Sequence, residues 1–230
     1  MPCVTLVNSL RYSQPPSSGE LTITRGNQSH DDKGVINYWY KYSTGLLFIP
    51  YTDLTAIPDG VTIDKIAFEY DLTLAAGGQS YTISNAYGWI YLQSDQSFTG
   101  FPNAMLNNGL ATSNTTFNNG IRNYTDFFIG PATYSFTQQT ADPNIRYVDI
   151  PFLNTMQYKT GHSICIAIVN NSGAFTGSQV CPGWIGDTST HSLGKQFFRQ
   201  QNDTTGPYSI TASTTSADNT FRPNIRFYWT

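Results

Sequence analysis

His30-Asp31-Asp32 is the one place in this 230-residue chain where an imidazole adjoins acidic groups, the combination that holds a metal or makes a base with an orienting carboxylate. Consecutive residues of an extended strand point to opposite faces, so this spacing converges poorly on one ion, and the segment reads as a solvated loop. Asp53, Asp59, Asp95 and Asp187 stand in loop-like context and carry the hard oxygens that calcium prefers. No Asp-rich loop pattern joins them, so no metal ligand is assigned, calcium is admitted only as a structural ion, and no other cofactor is expected. Nucleophilic catalysis needs a Ser or Cys held beside a base. His162 opens a strand and His191 lies in Ser189-Thr190-His191-Ser192, neither within a recognisable nucleophile motif. Glycosidase chemistry needs two carboxylates across a cleft. The two glutamates, Glu20 and Glu69, and the scattered aspartates single out no such pair. No catalytic residue is assigned, and the chain reads as non-enzymatic.

Composition points instead to contact. Thr 29, Ser 20, Asn 18 and Gln 12 make up about a third of the chain, and 33 aromatics run along its whole length. Tyr and Trp rings present flat apolar faces with a polar edge, suited to stacking on sugars or anchoring a protein interface. Three aromatics are singled out as candidate ligand contacts. Trp184, in Pro182-Gly183-Trp184-Ile185-Gly186, is flanked by turn residues and is the ring expected on display, with a buried loop anchor as the competing reading. Trp39 alternates with Tyr38 and Tyr40 across a strand, and Tyr87 begins a period-two run with Trp89 and Tyr91.

The net charge of −3, with twelve basic residues spread singly, leaves no electrostatic footprint for a phosphate backbone, so nucleic acid is not an expected partner. No apolar run reaches membrane-spanning length, and Met1 to Leu10 lacks a basic n-region and an apolar h-region, so neither membrane insertion nor a secretion signal is expected. Cys3, Cys165 and Cys181 are odd in number and out of metal-ligand spacing. Cys165 reads as a small core residue, with a Cys165–Cys181 bridge as the alternative. The five Asn-X-Ser/Thr triplets, at Asn27, Asn114, Asn123, Asn170 and Asn202, are what chance produces in a chain so rich in these residues.

The elements that must position these groups are strands. Residues 1–34, broken by Pro15-Pro16-Ser17-Ser18-Gly19 and Arg25-Gly26-Asn27-Gln28, read as an irregular N-terminal arm, and 35–230 as one domain. Two short strands are expected over Val35–Pro50, with a turn at Ser43-Thr44-Gly45. Ile63–Leu72 gives the clearest alternation: Ile66, Phe68, Tyr70 and Leu72 on one face, Lys65, Glu69 and Asp71 on the other. Tyr81–Leu92 is expected to pair with it as a hairpin across Ala76-Gly77-Gly78-Gln79. Residues 94–123, rich in Asn, Gly, Ser and Thr, read as a long partner-contacting loop. Further strands are expected over Tyr124–Ile129, Ile145–Phe152, His162–Val169, Lys195–Gln200, Tyr208–Ala212 and Phe221–Trp229. The fold class is all-β, an antiparallel β-sandwich with jelly-roll topology and very little helix.

The motif order Phe48-Ile49-Pro50-Tyr51-Thr52-Asp53-Leu54, Asp59-Gly60-Val61-Thr62-Ile63-Asp64-Lys65-Ile66-Ala67-Phe68, Val148-Asp149-Ile150-Pro151-Phe152, Gly161-His162-Ser163-Ile164-Cys165-Ile166-Ala167-Ile168 and Phe221-Arg222-Pro223-Asn224-Ile225-Arg226-Phe227 resembles the jelly-roll modules of the cleaved-adhesin type in Bacteroidetes surface proteins. The resemblance spans roughly residues 35 to 229 and implies a non-catalytic, adhesive role. A free-standing module without an export signal is in turn similar to a bacteriophage virion component, a capsid auxiliary (decoration) or head or tail fibre protein. The partners then expected are capsid subunits and other virion proteins, with host-surface glycans and further copies of the chain also admitted. The alternative is a carbohydrate-binding adhesin module on a bacterial cell surface.

Overall fold

The computed structural model describes residues 18–30, 41–71, 79–94, 96–97, 124–136, 147–170, 173, 183–187, 197–202 and 221–230. Among them are twelve strands: β1 (Gly19–Ile23), β2 (Gln28–His30), β3 (Tyr42–Ile49), β4 (Thr62–Asp71), β5 (Gln79–Gln93), β6 (Tyr124–Phe136), β7 (Tyr147–Gln157), β8 (Ser163–Asn170), β9 (Gly183–Asp187), β10 (Phe197–Asn202), β11 (Arg222–Pro223) and β12 (Ile225–Trp229). A single 3-10 turn, Tyr51–Asp53, is the helical element among the described residues.

The strands form two antiparallel sheets. In the first, β1 pairs with β12 and β12 with β4, while β7 takes the other edge of β4 and β9, flanked by β2 and β11, extends its far end. The second runs β10-β3-β8-β5-β6. One apolar core lies between them. Ile66, Phe68, Val148, Ile150 and Phe227 of the first sheet and Leu47, Ile49, Ile90, Ile164, Ile166 and Ile168 of the second belong to it, all essentially without solvent contact. At roughly 1.5–3 kcal/mol per buried side chain of this size, that shared interior is the main force holding the layers together.

Alternation along β4 decides which side chains enter the core, and one residue breaks it. Ile66, Phe68 and Tyr70 point inward in strict period two, as expected, yet Ile63 is also fully buried. Tyr228 pairs with Lys65 and the next residue, Trp229, with Ile63, so Asp64 is an extra residue, a β-bulge that resets the phase. On the opposite edge Lys65 pairs with Pro151 and Ile63 with Met156, so Asp64 has no opposite number there either. Residues 152–155 of β7 swing away at that point, leaving Leu153 64% exposed.

The far end of β4 is closed. Where β12 leaves it after Ile225, β9 takes over through Tyr70–Trp184 and Asp71–Gly183 pairs. Asn224, 1% exposed, sits at this branch. Its Oδ1 accepts from the backbone N–H groups of Arg25 (2.6 Å) and Gly26 (3.2 Å), and its Nδ2 donates to the Gly26 carbonyl (2.8 Å) and Glu69 Oε2 (2.6 Å). Its backbone N–H donates to Ile185 O and its carbonyl accepts from Glu69 N. A carboxamide carries two donors and a two-lone-pair acceptor, so every capacity of this side chain is used. The backbones approach so closely here that a Cβ on Gly186 would lie 2.2 Å from the Arg222 carbonyl oxygen, which admits glycine alone.

Four sequence expectations change. The Ser43-Thr44-Gly45 turn is absent, because β3 runs unbroken and is laddered on both edges, by β8 and β10. β4 and β5 do not form a hairpin. Both edges of β4 are occupied by other strands, and β5 pairs with β6 and β8 in the facing sheet, where its Ile90 enters the same core. The described part of the arm is not irregular: β1 pairs with β12 through five residues and β2 with β9 through three, held at the bend between them by Asn224. Trp184 is the fourth and is taken up below. Trp39 and the expected strand Tyr208–Ala212 lie outside the described residues, as does nearly all of the 94–123 loop.

Candidate functional site

The outer face of the first sheet is assembled by register. Glu20, Tyr228, Lys65 and Pro151 align across β1, β12, β4 and β7, and the next outward row is Thr22, Arg226, Ala67 and Asp149. Ala67 is the smallest side chain in that row, and it lets the long Arg226 side chain cross β4 towards β7. The guanidinium carbon lies 4.1 Å from the Tyr147 ring centre, its Nε donates to Thr22 Oγ1 at 2.8 Å, and Nη1 lies 3.9 Å from Glu20 Oε2. Lys65 donates to Asp149 Oδ2 at 2.7 Å and holds its ammonium 4.0 Å above the Tyr228 ring. The result is a flat layer of cations set on aromatic rings, each contact worth roughly 0.5–1 kcal/mol at a partly exposed site.

Electrostatics keep these groups in their ordinary charge states. Burial draws the Lys65 ammonium down, but the hydrogen bond and charge of Asp149 outweigh it and the net shift is upward. Arg226 is likewise pulled down by burial and raised overall by Tyr228 and Glu20. The Tyr147 phenol is raised, first by burial and then by the charge of Glu69, and so stays neutral.

Beside the bulge the face dips into a groove of about 410 Å³, within the range of small-ligand sites, lined by Ser18, Gly19, Glu20, Asp64, Lys65, Tyr228, Trp229 and Thr230. The bulge puts the consecutive Asp64 and Lys65 together on its wall. By contrast, the cavity between the Arg25–Asp53 and Arg222–Asp187 ion pairs holds only about 10 Å³, room for a water at most.

At the start of β4, the turn joining β7 to β8 is tied down by Gly60 N–Tyr158 O and Tyr158 N–Val61 O bonds. Asp59 accepts from Thr160 N at 2.8 Å and Lys159 Nζ at 3.2 Å, and these contacts lower its pKa. The buried Tyr158 donates to His162 O at 3.2 Å, and burial with the nearby Asp59 charge pushes its phenol up to about 12. His162, a possible base by type alone, rests its Nδ1 3.4 Å from Thr160 O.

The candidate aromatics fare differently. The expectation that Trp184 is displayed is corrected: the ring is 2% exposed and meets Phe68 edge to face at 6.1 Å between centroids. Of its flanking glycines, Gly186 serves strand β9 where that backbone lies close to β11, so it marks tight packing rather than an exposed turn. Tyr87 stands in β5 between Val169 and Ile129, and Trp39 lies outside the described residues. His30 is in β2 opposite Trp184, with Asp31 and Asp32 outside the described residues. Cys165 is a buried thiol in β8. Cys181 lies outside the described residues. Among the described residues no group of three or more His, Cys, Asp and Glu is arranged to hold a metal, and no helix is long and apolar enough to cross a membrane. The residues that sequence reading missed are Arg226, Tyr228, Tyr147 and Trp229. Alternation placed Lys65 and Glu69 outward, but only the cross-strand register brings the others beside them.

No protein-family model, no characterised protein and no solved structure matches the chain.

Proposed function

We propose that this chain is a non-enzymatic structural protein of a virion, a capsid auxiliary or fibre-like component of a bacteriophage, built as a jelly roll and fixed to capsid subunits through the outer face of its first sheet. The observation that carries this reading is the strand order. Setting aside the short β2, β9 and β11 and the added edge strand β10, the sheets run β1-β12-β4-β7 and β3-β8-β5-β6. Eight strands that pass repeatedly between two four-stranded sheets are the plan of a double Greek key, an architecture shared by viral capsid and lectin domains.

The cation and aromatic face fits docking better than chemistry. Tyr and Arg are enriched in protein interfaces, and the charges on this face are paired and pre-ordered before a partner arrives, which limits the entropy lost on association. Trp184, as a core residue, contributes to the fold and not to a contact surface.

Co-expression with shell-forming proteins, where such genes adjoin its own, followed by gradient sedimentation, tests the reading. The chain should travel with assembled particles at a fixed stoichiometry, and Arg226→Glu should release it while the shells remain intact. A chain that stays at the top of the gradient with every neighbouring shell protein would refute it.

A further inference from the structure

We propose that the groove at the Asp64 bulge is a binding site for a neutral, polyhydroxylated ligand, a saccharide. This goes beyond the docking role above and does not depend on it.

The first argument is an unmet hydrogen bond. Trp229 is 7% exposed, and its indole Nε1 is buried with no partner among the described residues. Buried indole N–H groups ordinarily find an acceptor, and one left without costs on the scale of a lost hydrogen bond. The edge of the indole that carries this N–H lies against Gly19. A Cβ there would come within 2.6 Å of Cζ2 and 3.0 Å of Nε1, so glycine is required. Gly19 and Trp229 both line the groove, and Gly19 brings no side chain to it. A ligand oxygen entering beside Gly19 supplies the missing acceptor.

The second argument is the mixed character of the walls. Glu20 and Asp64 offer carboxylate acceptors, Lys65 and the Trp229 N–H are donors, and Tyr228 offers a phenol that does both. Hydroxyl groups donate and accept, so one polyol satisfies all of these at once. Two carboxylates against one ammonium that is already paired with Asp149 repel an anion. Among the described residues no third carboxylate, His or Cys joins Glu20 and Asp64 to hold a bare cation. The third argument is construction. A β-bulge is the device by which a strand re-aims side chains, and here it turns the consecutive Asp64 and Lys65 to one side and opens the dent they line.

The test uses the purified full chain on a printed array of neutral and acidic glycans, followed by titration of each hit into ¹⁵N-labelled protein with the four indole resonances assigned. At least one neutral saccharide should bind and move the Trp229 indole N–H, and Glu20→Ala and Asp64→Ala, each checked for an unchanged urea midpoint, should weaken binding at least tenfold. No neutral hit, a hit that leaves the Trp229 resonance in place, or affinity indifferent to both substitutions would overturn the proposal. So would calcium chloride alone moving that resonance, or binding confined to acidic glycans.

Discussion

The two ends of β4 are finished in opposite ways. At the Tyr70 end, where β12 departs and β9 arrives, Asn224 uses every donor and acceptor it has and the backbones close until only glycine fits. At the Asp64 end, a bulge breaks both ladders, a groove opens, and a buried indole N–H has no partner among the described residues. A polar group buried in a fold is costly unless satisfied, so the end with complete pairing is where the architecture is locked. The end with a donor to spare is where a second molecule has something to offer.

The strongest way to break this contrast is Asn224→Ala. It removes four side-chain hydrogen bonds and leaves Arg25 N, Gly26 N, Gly26 O and Glu69 Oε2 to find new partners at a branch with little room for water. At about 1 kcal/mol for each bond, the loss is about 4 kcal/mol, a value at the high end for single substitutions. Urea denaturation of the two proteins measures it directly. A loss below about 1 kcal/mol would mean that the branch is held by its backbone ladders and not by Asn224.

Tyr158→Phe asks whether the open end of β4 is anchored by the turn that joins β7 to β8. Losing the bond to His162 O costs about 1 kcal/mol at neutral pH. The pH dependence carries the sign. Burial, and after it the Asp59 charge, raise the folded-state phenol from 10.0 to about 12. Below pH 10 the phenol is neutral in both states and its contribution is complete. Between about 10 and 12 the unfolded chain ionises first, and the contribution is lost, by on the order of 2 kcal/mol at the upper limit. Urea midpoints taken at pH 8, 10 and 11 should therefore show the advantage of wild type over Tyr158→Phe shrinking as pH rises, to about zero or slightly below it by pH 11. A constant gap would place Tyr158 in contact with solvent.

How much of this was legible beforehand follows from what each feature depends on. Ile66, Phe68 and Tyr70 could be assigned to the core because period-two alternation is local to the chain, and the all-β class followed from many such segments with turns between them. Cys165 as an interior residue was readable for the same reason. The β4–β5 hairpin was not, because sequence adjacency favours pairing of neighbours while the actual partners of β4 lie over 75 residues away in β7 and over 150 away in β12. Trp184 misled through its glycines: Gly186 signals a turn in sequence but exists for the approach of Arg222. The site itself was half visible. Lys65 was placed outward, but the meeting of Glu20, Lys65 and Trp229 needs register between strands at both ends of the chain, and the bulge that seats them is a one-residue slip with no local signature.

The smallest effect is expected from Asp64→Ala, and it sharpens the contrast most. Asp64 faces no residue in either ladder and lies only partly buried at the groove wall, so no cross-strand pair, core contact or cap is lost with its carboxylate. Substitutions away from such features stay within about 0.5 kcal/mol, and the urea midpoint should move by no more than that. If Asp64→Ala instead cost about 2 kcal/mol, the carboxylate would be holding the bulge in shape, and both ends of β4 would be structural. An unchanged midpoint leaves the bulge as a feature of the backbone, with Ile63 and Ile66 both held in the core on either side of it, and leaves the Asp64 carboxylate for contact outside the fold.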